Sequence, residues 1–124
     1  MKLTRYENNP ILSPNPQNPW ECLVTTNPAA WYDSDKGCVS LIYRAAGDDD
    51  EHYVYLGLAT SKNGCDFIRQ NGRPIVSPIK DANVGCIEDP RIVKMDGVYY
   101  ITFAFRPFAP GKYWIPINER RYNP

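Results

Sequence analysis

The chain has 124 residues, enough for one ordinary domain with a buried core. Hydrophobic residues make up 43% and charged residues 23%, a globular composition that excludes a disordered chain. Fourteen basic residues offset fourteen acidic ones, which excludes the basic surface needed for nucleic acid or an anionic membrane.

The opening MKLTRYENNP lacks the apolar core of a secretory signal, and no run approaches the length of a membrane span. A cytoplasmic protein is therefore expected. Cys22, Cys38, Cys65 and Cys86 form no CxxC pair and are expected as free thiols. With one histidine, His52, and scattered cysteines, neither a zinc site nor another metal site is expected.

In chain order, the first predicted element is a short strand over Ala29–Tyr32, closed by the turn cluster Asp33–Gly37. Cys38–Tyr43 is a second strand, rich in apolar and β-branched residues. The acidic run Asp48–Glu51 reads as an exposed turn; it lacks the alternation and terminal glutamate of a calcium loop. His52–Thr60 is a longer strand in which Gly57 marks a bulge or a close approach. Ser61–Gly64 reads as an Asn-Gly hairpin turn, leading to a fourth strand over Cys65–Arg69. Arg91–Lys94, a Met95-Asp96-Gly97 turn and Val98–Phe105 then follow in the same manner. No stretch sustains a 3.6-residue period, so the chain is all-β.

The chain also repeats itself. Pro10-Ile11-Leu12-Ser13-Pro14 matches Pro74-Ile75-Val76-Ser77-Pro78 at an offset of 64. Asn27-Pro28 matches Asp89-Pro90, and Arg44 matches Arg106, both at an offset of 62. The repeat units run from about 10 to 73 and from 74 to 124. Four antiparallel strands per repeat, joined by tight turns, describe a β-propeller blade. At this period the chain holds about one and a half to two blades, which implies a truncated, N-terminal part of one propeller domain spanning 1–124. A small sandwich or barrel built from two similar halves is the alternative.

The stretch GCIEDPRIV (85–93) carries the chemistry. In a propeller the innermost strand of each blade points toward the central funnel. Asn27 and Asp89 would then occupy equivalent places at the funnel, with the following proline biasing each toward extended backbone. The plainer reading is that Asp-Pro starts a turn and Glu88 pairs with Arg91. Arg44 and Arg106 lie at the ends of equivalent strands, where an arginine can fork onto a carboxylate, a phosphate or sugar hydroxyls, or make a surface ion pair. Trp20, Trp31, Tyr43, Tyr99 and Tyr100 are either core residues or platforms for sugar rings.

Several stretches together resemble one family. ENNPILSP, NPAAWYD, LIYRAAGDD, YLGLATSKNG, GCIEDPRIV and YYITFAFRPFAPGKYW are similar, in order and spacing, to the N-terminal part of glycoside hydrolase family 130. The resemblance covers residues 5 to about 114, and the mannosyl-glucose phosphorylase branch is the nearest in character. It implies a five-bladed propeller that transfers a β-mannosyl unit to inorganic phosphate with inversion, giving mannose 1-phosphate. A β-mannoside hydrolase of the same family is the close variant. A non-catalytic sugar-binding or assembly module, completed as a homo-oligomer, is the distant one. By the same resemblance Asp89 is the general acid, protonating the leaving oxygen through a sugar hydroxyl. Asn27, Arg44 and Asp48 would contact the mannosyl unit, and Arg91 and Arg106 would hold phosphate or orient Asp89. No cofactor is implied, since phosphate is a co-substrate. The last residues, IPINERRYNP, depart from the family pattern beyond GKYW, and the family's further phosphate ligands lie in later blades.

Overall fold

The computed structural model describes residues 2–49, 51–78 and 86–106, with Pro116 and Asn118. Asp50, the start of GCIEDPRIV at Gly85, the PFAPGKYW stretch and the closing IPINERRYNP, apart from Pro116 and Asn118, lie outside them. Six strands form among the described residues: β1 (Val24–Asp33), β2 (Cys38–Ala46), β3 (Val54–Ser61), β4 (Ile68–Arg69), β5 (Cys86–Met95) and β6 (Val98–Arg106). β1 to β4 make one antiparallel sheet in sequential order, the expected blade arrangement, and β5 pairs with β6 in a second sheet. No α-helix occurs among the described residues.

β2 reads CVSLIYRAA, nearly continuous in apolar residues, because it is covered on both faces. Leu41, Tyr43 and Ala45 pack on one face with Ala59, Leu12, Trp20 and Phe67. Ile42 points to the other, where it meets Leu56, Trp31, Ile87 and Ile92. Trp31 also packs against Tyr99, 5.8 Å between ring centroids, so this second face is where the two sheets meet. Trp20 lies 6.2 Å from Tyr43 and 6.0 Å from Tyr55. Of the five aromatics considered for sugar stacking, Trp20, Trp31, Tyr43 and Tyr99 are therefore packing residues, and Tyr100 remains exposed.

The two related PI-x-SP segments use opposite faces of the first sheet. Leu12 joins the Tyr43 face, whereas Val76 joins the Leu56 face and bonds to it. Leu56 N donates to Val76 O at 3.0 Å, and Ile75 N donates back to Leu56 O at 2.8 Å.

Several boundaries differ from expectation. The sequence predicts that Asn27-Pro28 and Asp89-Pro90 open their strands; both lie inside them, at register breaks between Thr26 and Ala29 and between Glu88 and Arg91. The fourth strand is reduced to Ile68–Arg69. Ser61–Gly64 is not a two-residue hairpin: β3 and β4 are joined by a longer loop organised by Asn63, whose Oδ1 accepts from Cys65 N and Asp66 N. His52 is not in a strand; it is buried with a φ of 52°.

Gly57 marks a close approach rather than a bulge, since its pairing with Tyr43 is regular. A Cβ there would stand 2.3 Å from Tyr43 Cζ and 2.7 Å from Trp20 Cη2. Neither ring can yield freely: Tyr43 is buried and its hydroxyl donates to Glu21 at 2.8 Å. Gly57→Ala should therefore cost about 2–3 kcal/mol by overpacking, read as a lower denaturant midpoint at unchanged slope. An unchanged midpoint would mean that the rings repack without strain.

Candidate active site

The site forms where β1, β2, β5 and β6 come together. Asn27 and Asp89 each adopt left-handed backbone, with φ of 43° and 51°, as the extra residue of a β-bulge. This corrects the expectation that the following proline holds them extended. Asn and Asp are the side-chain-bearing residues that best tolerate that region. The bulge turns both side chains out of the alternating pattern and toward each other, and Asn27 Nδ2 donates to Asp89 Oδ1 at 2.7 Å. Residues matched by the internal repeat thus meet directly.

Arg44 reaches the same oxygen from β2, Nη1 to Asp89 Oδ1 at 3.1 Å. That nitrogen also lies 3.3 Å from Glu88 Oε2. Glu88 is buried, and its second oxygen, Oε1, stands 3.6 Å from Arg106 Nε. This is an ion pair beyond hydrogen-bonding distance, and among the described residues Oε1 has no hydrogen-bond partner. Glu88 therefore bridges two arginines from two sheets, in place of the expected pair with Arg91. Arg91 is exposed and donates from Nη1 to the Pro90 carbonyl at 2.8 Å. Asp48 is exposed two residues beyond the end of β2.

Arg106 also stands elsewhere in the repeat than the sequence match implies. The β5–β6 turn is Asp96-Gly97, whereas the β1–β2 turn spans Ser34–Gly37. The shorter turn leaves Arg106 opposite Cys86, while Arg44 lies opposite Thr26. A two-residue displacement keeps the side chain on the same face of the strand, so both guanidinium groups still reach Glu88.

Asn27's hydrogen bond is the leading influence on Asp89 and holds its carboxyl below the usual carboxylate range. Partial burial opposes this, and the hydrogen bond and charge of Arg44, with the charge of Arg91, add to it. Asp89 is thus a carboxylate at ordinary pH, with 40% of its side chain open to solvent. Among the described residues both of its hydrogen bonds fall on Oδ1, which leaves Oδ2 as the atom available to a ligand. Burial pushes the neighbouring Cys86 thiol up to about 11, so that it is neutral at ordinary pH. All four cysteines are free thiols. A separate cleft of about 700 Å3 between residues 5–12 and β1–β2 reaches Thr26 and Pro28 but none of these charged groups.

The model of glycoside hydrolase family 130, described as beta-1,4-mannooligosaccharide phosphorylase, matches residues 2–110. The chain belongs to glycoside hydrolase family 130. Similar proteins include a 1,2-beta-oligomannan phosphorylase from Thermoanaerobacter sp. (strain X514), 40% identical over 83% of this chain and 36% of the relative. A beta-1,2-mannobiose phosphorylase of the same organism is 34% identical over 82% of this chain and 36% of its own length. The chain thus spans about a third of the curated relatives it matches. Among solved structures, a glycosyl hydrolase from Bacteroides ovatus matches with a TM-score of 0.67 at 32% identity, covering 80% of this chain and 33% of that one. A second structure, from work on GH130 glycoside hydrolases that target β-1,2 mannosidic linkages in Candida mannan, matches with a TM-score of 0.69. It is 30% identical over 86% of this chain and 34% of that one. The family 130 fold is a β-propeller, and the described strands of this chain are partial blades of it.

Glu88 is the site residue that the sequence reading leaves out, placing it only in the plainer alternative as a partner of Arg91. The signal was present: a second carboxylate next to Asp89, within a run otherwise destined for a buried strand.

Proposed function

We propose that this chain supplies the mannosyl-binding side and the proton donor of an inverting β-mannoside phosphorylase acting in the cytoplasm. The observation that carries this reading is the Asp89 carboxyl group, fixed through Oδ1 by Asn27 and Arg44 while Oδ2 stays available. In the reaction, phosphate attacks the anomeric carbon from the face opposite the glycosidic oxygen. The bond to the leaving sugar breaks as the bond to phosphate forms, and the leaving oxygen takes a proton. An inverting hydrolase needs a second carboxylate to activate water, whereas phosphate is already a nucleophile. Asp89 takes up a proton from solvent on Oδ2 before turnover and passes it to a mannosyl hydroxyl, as that hydroxyl gives its own proton to the leaving oxygen. Asn27, Arg44 and Asp48 orient the mannosyl ring, and Arg91 and Arg106 draw phosphate.

A phosphate ion is the only co-substrate this requires. The names of the Thermoanaerobacter relatives favour β-1,2-linked mannose as the donor, while the family description favours the β-1,4 linkage. The sequence similarity to the mannosyl-glucose branch keeps glucose as an acceptor. The test is to incubate the protein carrying this sequence with β-1,2-mannobiose, β-1,4-mannobiose and β-1,4-mannosyl-glucose, with and without phosphate. Mannose 1-phosphate formed only with phosphate is the expected result, and the donor consumed names the linkage. Free mannose released without phosphate would place the protein among the hydrolases instead.

A further inference from the structure

We propose that Glu88 is a positioning residue that couples Arg106 to Asp89 through Arg44. An anion drawn onto Arg106 leaves Glu88 to take Arg44 wholly and so loosens the grip of Arg44 on Asp89. The inference rests on the phosphorylase reading, in which inorganic phosphate is that anion.

The geometry is one of sharing. A single nitrogen, Arg44 Nη1, serves two carboxylates, at 3.1 Å from Asp89 Oδ1 and 3.3 Å from Glu88 Oε2. Glu88 is itself divided between two cations, because Oε1 faces Arg106 Nε at 3.6 Å. That second contact is the weaker: Oε1 is buried yet accepts no hydrogen bond from the described residues. A buried carboxylate oxygen held by charge alone is the part of such a cluster most readily rearranged. Arg106 has 39% of its side chain exposed and is the arginine more open to an incoming anion, whereas Arg44 has 20% exposed.

The described groups that face Asp89 are Asn27 from β1, Arg44 from β2, Glu88 and Arg91 from β5, and Arg106 from β6 through Glu88. The nearby Cys86 thiol is neutral. Arg44 and Arg91 are the cations whose charge lowers the pKa of Asp89 most. Arg106 is linked to Asp89 through Glu88, which it meets at Oε1 while Arg44 meets Oε2. Loss of Arg106 from Glu88 strengthens the Glu88–Arg44 pair, weakens Arg44–Asp89, and lets Asp89 bind a proton from solvent at a higher pH. The acid would then be charged with its proton when the nucleophile has arrived.

The test is a carboxyl 13C NMR titration of Asp89 in this chain. Arg106→Gln should raise the titration midpoint by about half a pH unit or more, and Glu88→Gln should lower it. In the Glu88→Gln background, Arg106→Gln should have no effect. Inorganic phosphate added to the unsubstituted chain should move the midpoint in the same direction as Arg106→Gln. Additive shifts in the double variant would show that Arg106 acts directly and would overturn the coupling, as would a midpoint that ignores both Arg106→Gln and phosphate. Glu88→Asp, which keeps the charge but shortens the reach, replaces Glu88→Gln as the background if the latter fails to fold, and should shrink the Arg106→Gln shift. The phosphorylase reading stands or falls separately: coupling without mannose 1-phosphate formation sinks that reading alone, and mannose 1-phosphate formation without coupling sinks the relay alone.

Discussion

Asp89→Asn is expected to lower kcat/KM for phosphorolysis by about 10²–10⁴-fold, the range associated with loss of a general acid. The substitution isolates the proton from the scaffold. Asn tolerates the left-handed backbone that residue 89 adopts, and its carbonyl can still accept from Asn27 Nδ2 and Arg44 Nη1. What it cannot do is carry a transferable proton. The charge lost on residue 89 belongs to a partly exposed pair, worth about 1 kcal/mol or less. The melting temperature should therefore move by only a few degrees while turnover collapses. Measuring both on one preparation separates a chemical role from a structural one. Retained turnover would remove Asp89 from the reaction; a collapsed melting transition would recast it as a scaffold residue.

The largest stability effect is expected at Arg69. Its Nε donates to Glu21 Oε2 at 2.9 Å, and Glu21 has no exposed side-chain surface. Tyr43 OH donates to the same oxygen at 2.8 Å, Asn18 Nδ2 donates to Oε1, and a second Arg69 nitrogen donates to the Ser13 carbonyl. The Arg69 guanidinium also lies 5.9 Å from the Tyr43 ring centroid. This cluster ties the segment before β1 to the outermost strand of the sheet. Arg69→Met leaves Glu21 buried without its cation and should cost about 3–5 kcal/mol, since removing one partner of a buried pair is far worse than removing both. The corresponding fall in melting temperature is roughly 10–20 °C. The double variant Glu21→Gln with Arg69→Met should recover part of that loss. If Arg69→Met melts with the unsubstituted chain, the cluster contributes nothing net and the segment before β1 is held by Trp20 and Leu12 packing alone.

These two sites differ in how visible they were beforehand. Asn27, Arg44 and Asp89 were legible because the repeat placed Asn27 and Asp89 in register, and propeller topology then brings equivalent strands side by side. The pattern of strands was legible for the same kind of reason: apolar runs bounded by glycine turns at Gly37 and Gly97, both with positive φ, leave few alternatives. Glu21 and Arg69 carry no such signal. They lie 48 positions apart, and nothing in WECL distinguishes a buried glutamate from a solvated one. Glu88 is not legible as a site residue because Arg91, three residues away, is the nearest cation in sequence; inside a strand with a bulge that distance does not set which side chains meet.

The amino-acid sequence by itself determined the all-β character, the repeated short motifs and the membership of family 130. Each depends on local pattern or on short motifs, which survive without knowledge of partners. The tertiary structure decided the rest. The bulges at Asn27 and Asp89 arise from the pairing of two strands, and the placement of Arg106 from a turn two residues shorter than its counterpart. The sharing of Arg44 between Glu88 and Asp89, and the burial of Glu21 under Arg69, arise from side chains distant in the chain. Ion pairs form by distance in space, and spatial distance between strands is set by register and packing rather than by position in the sequence.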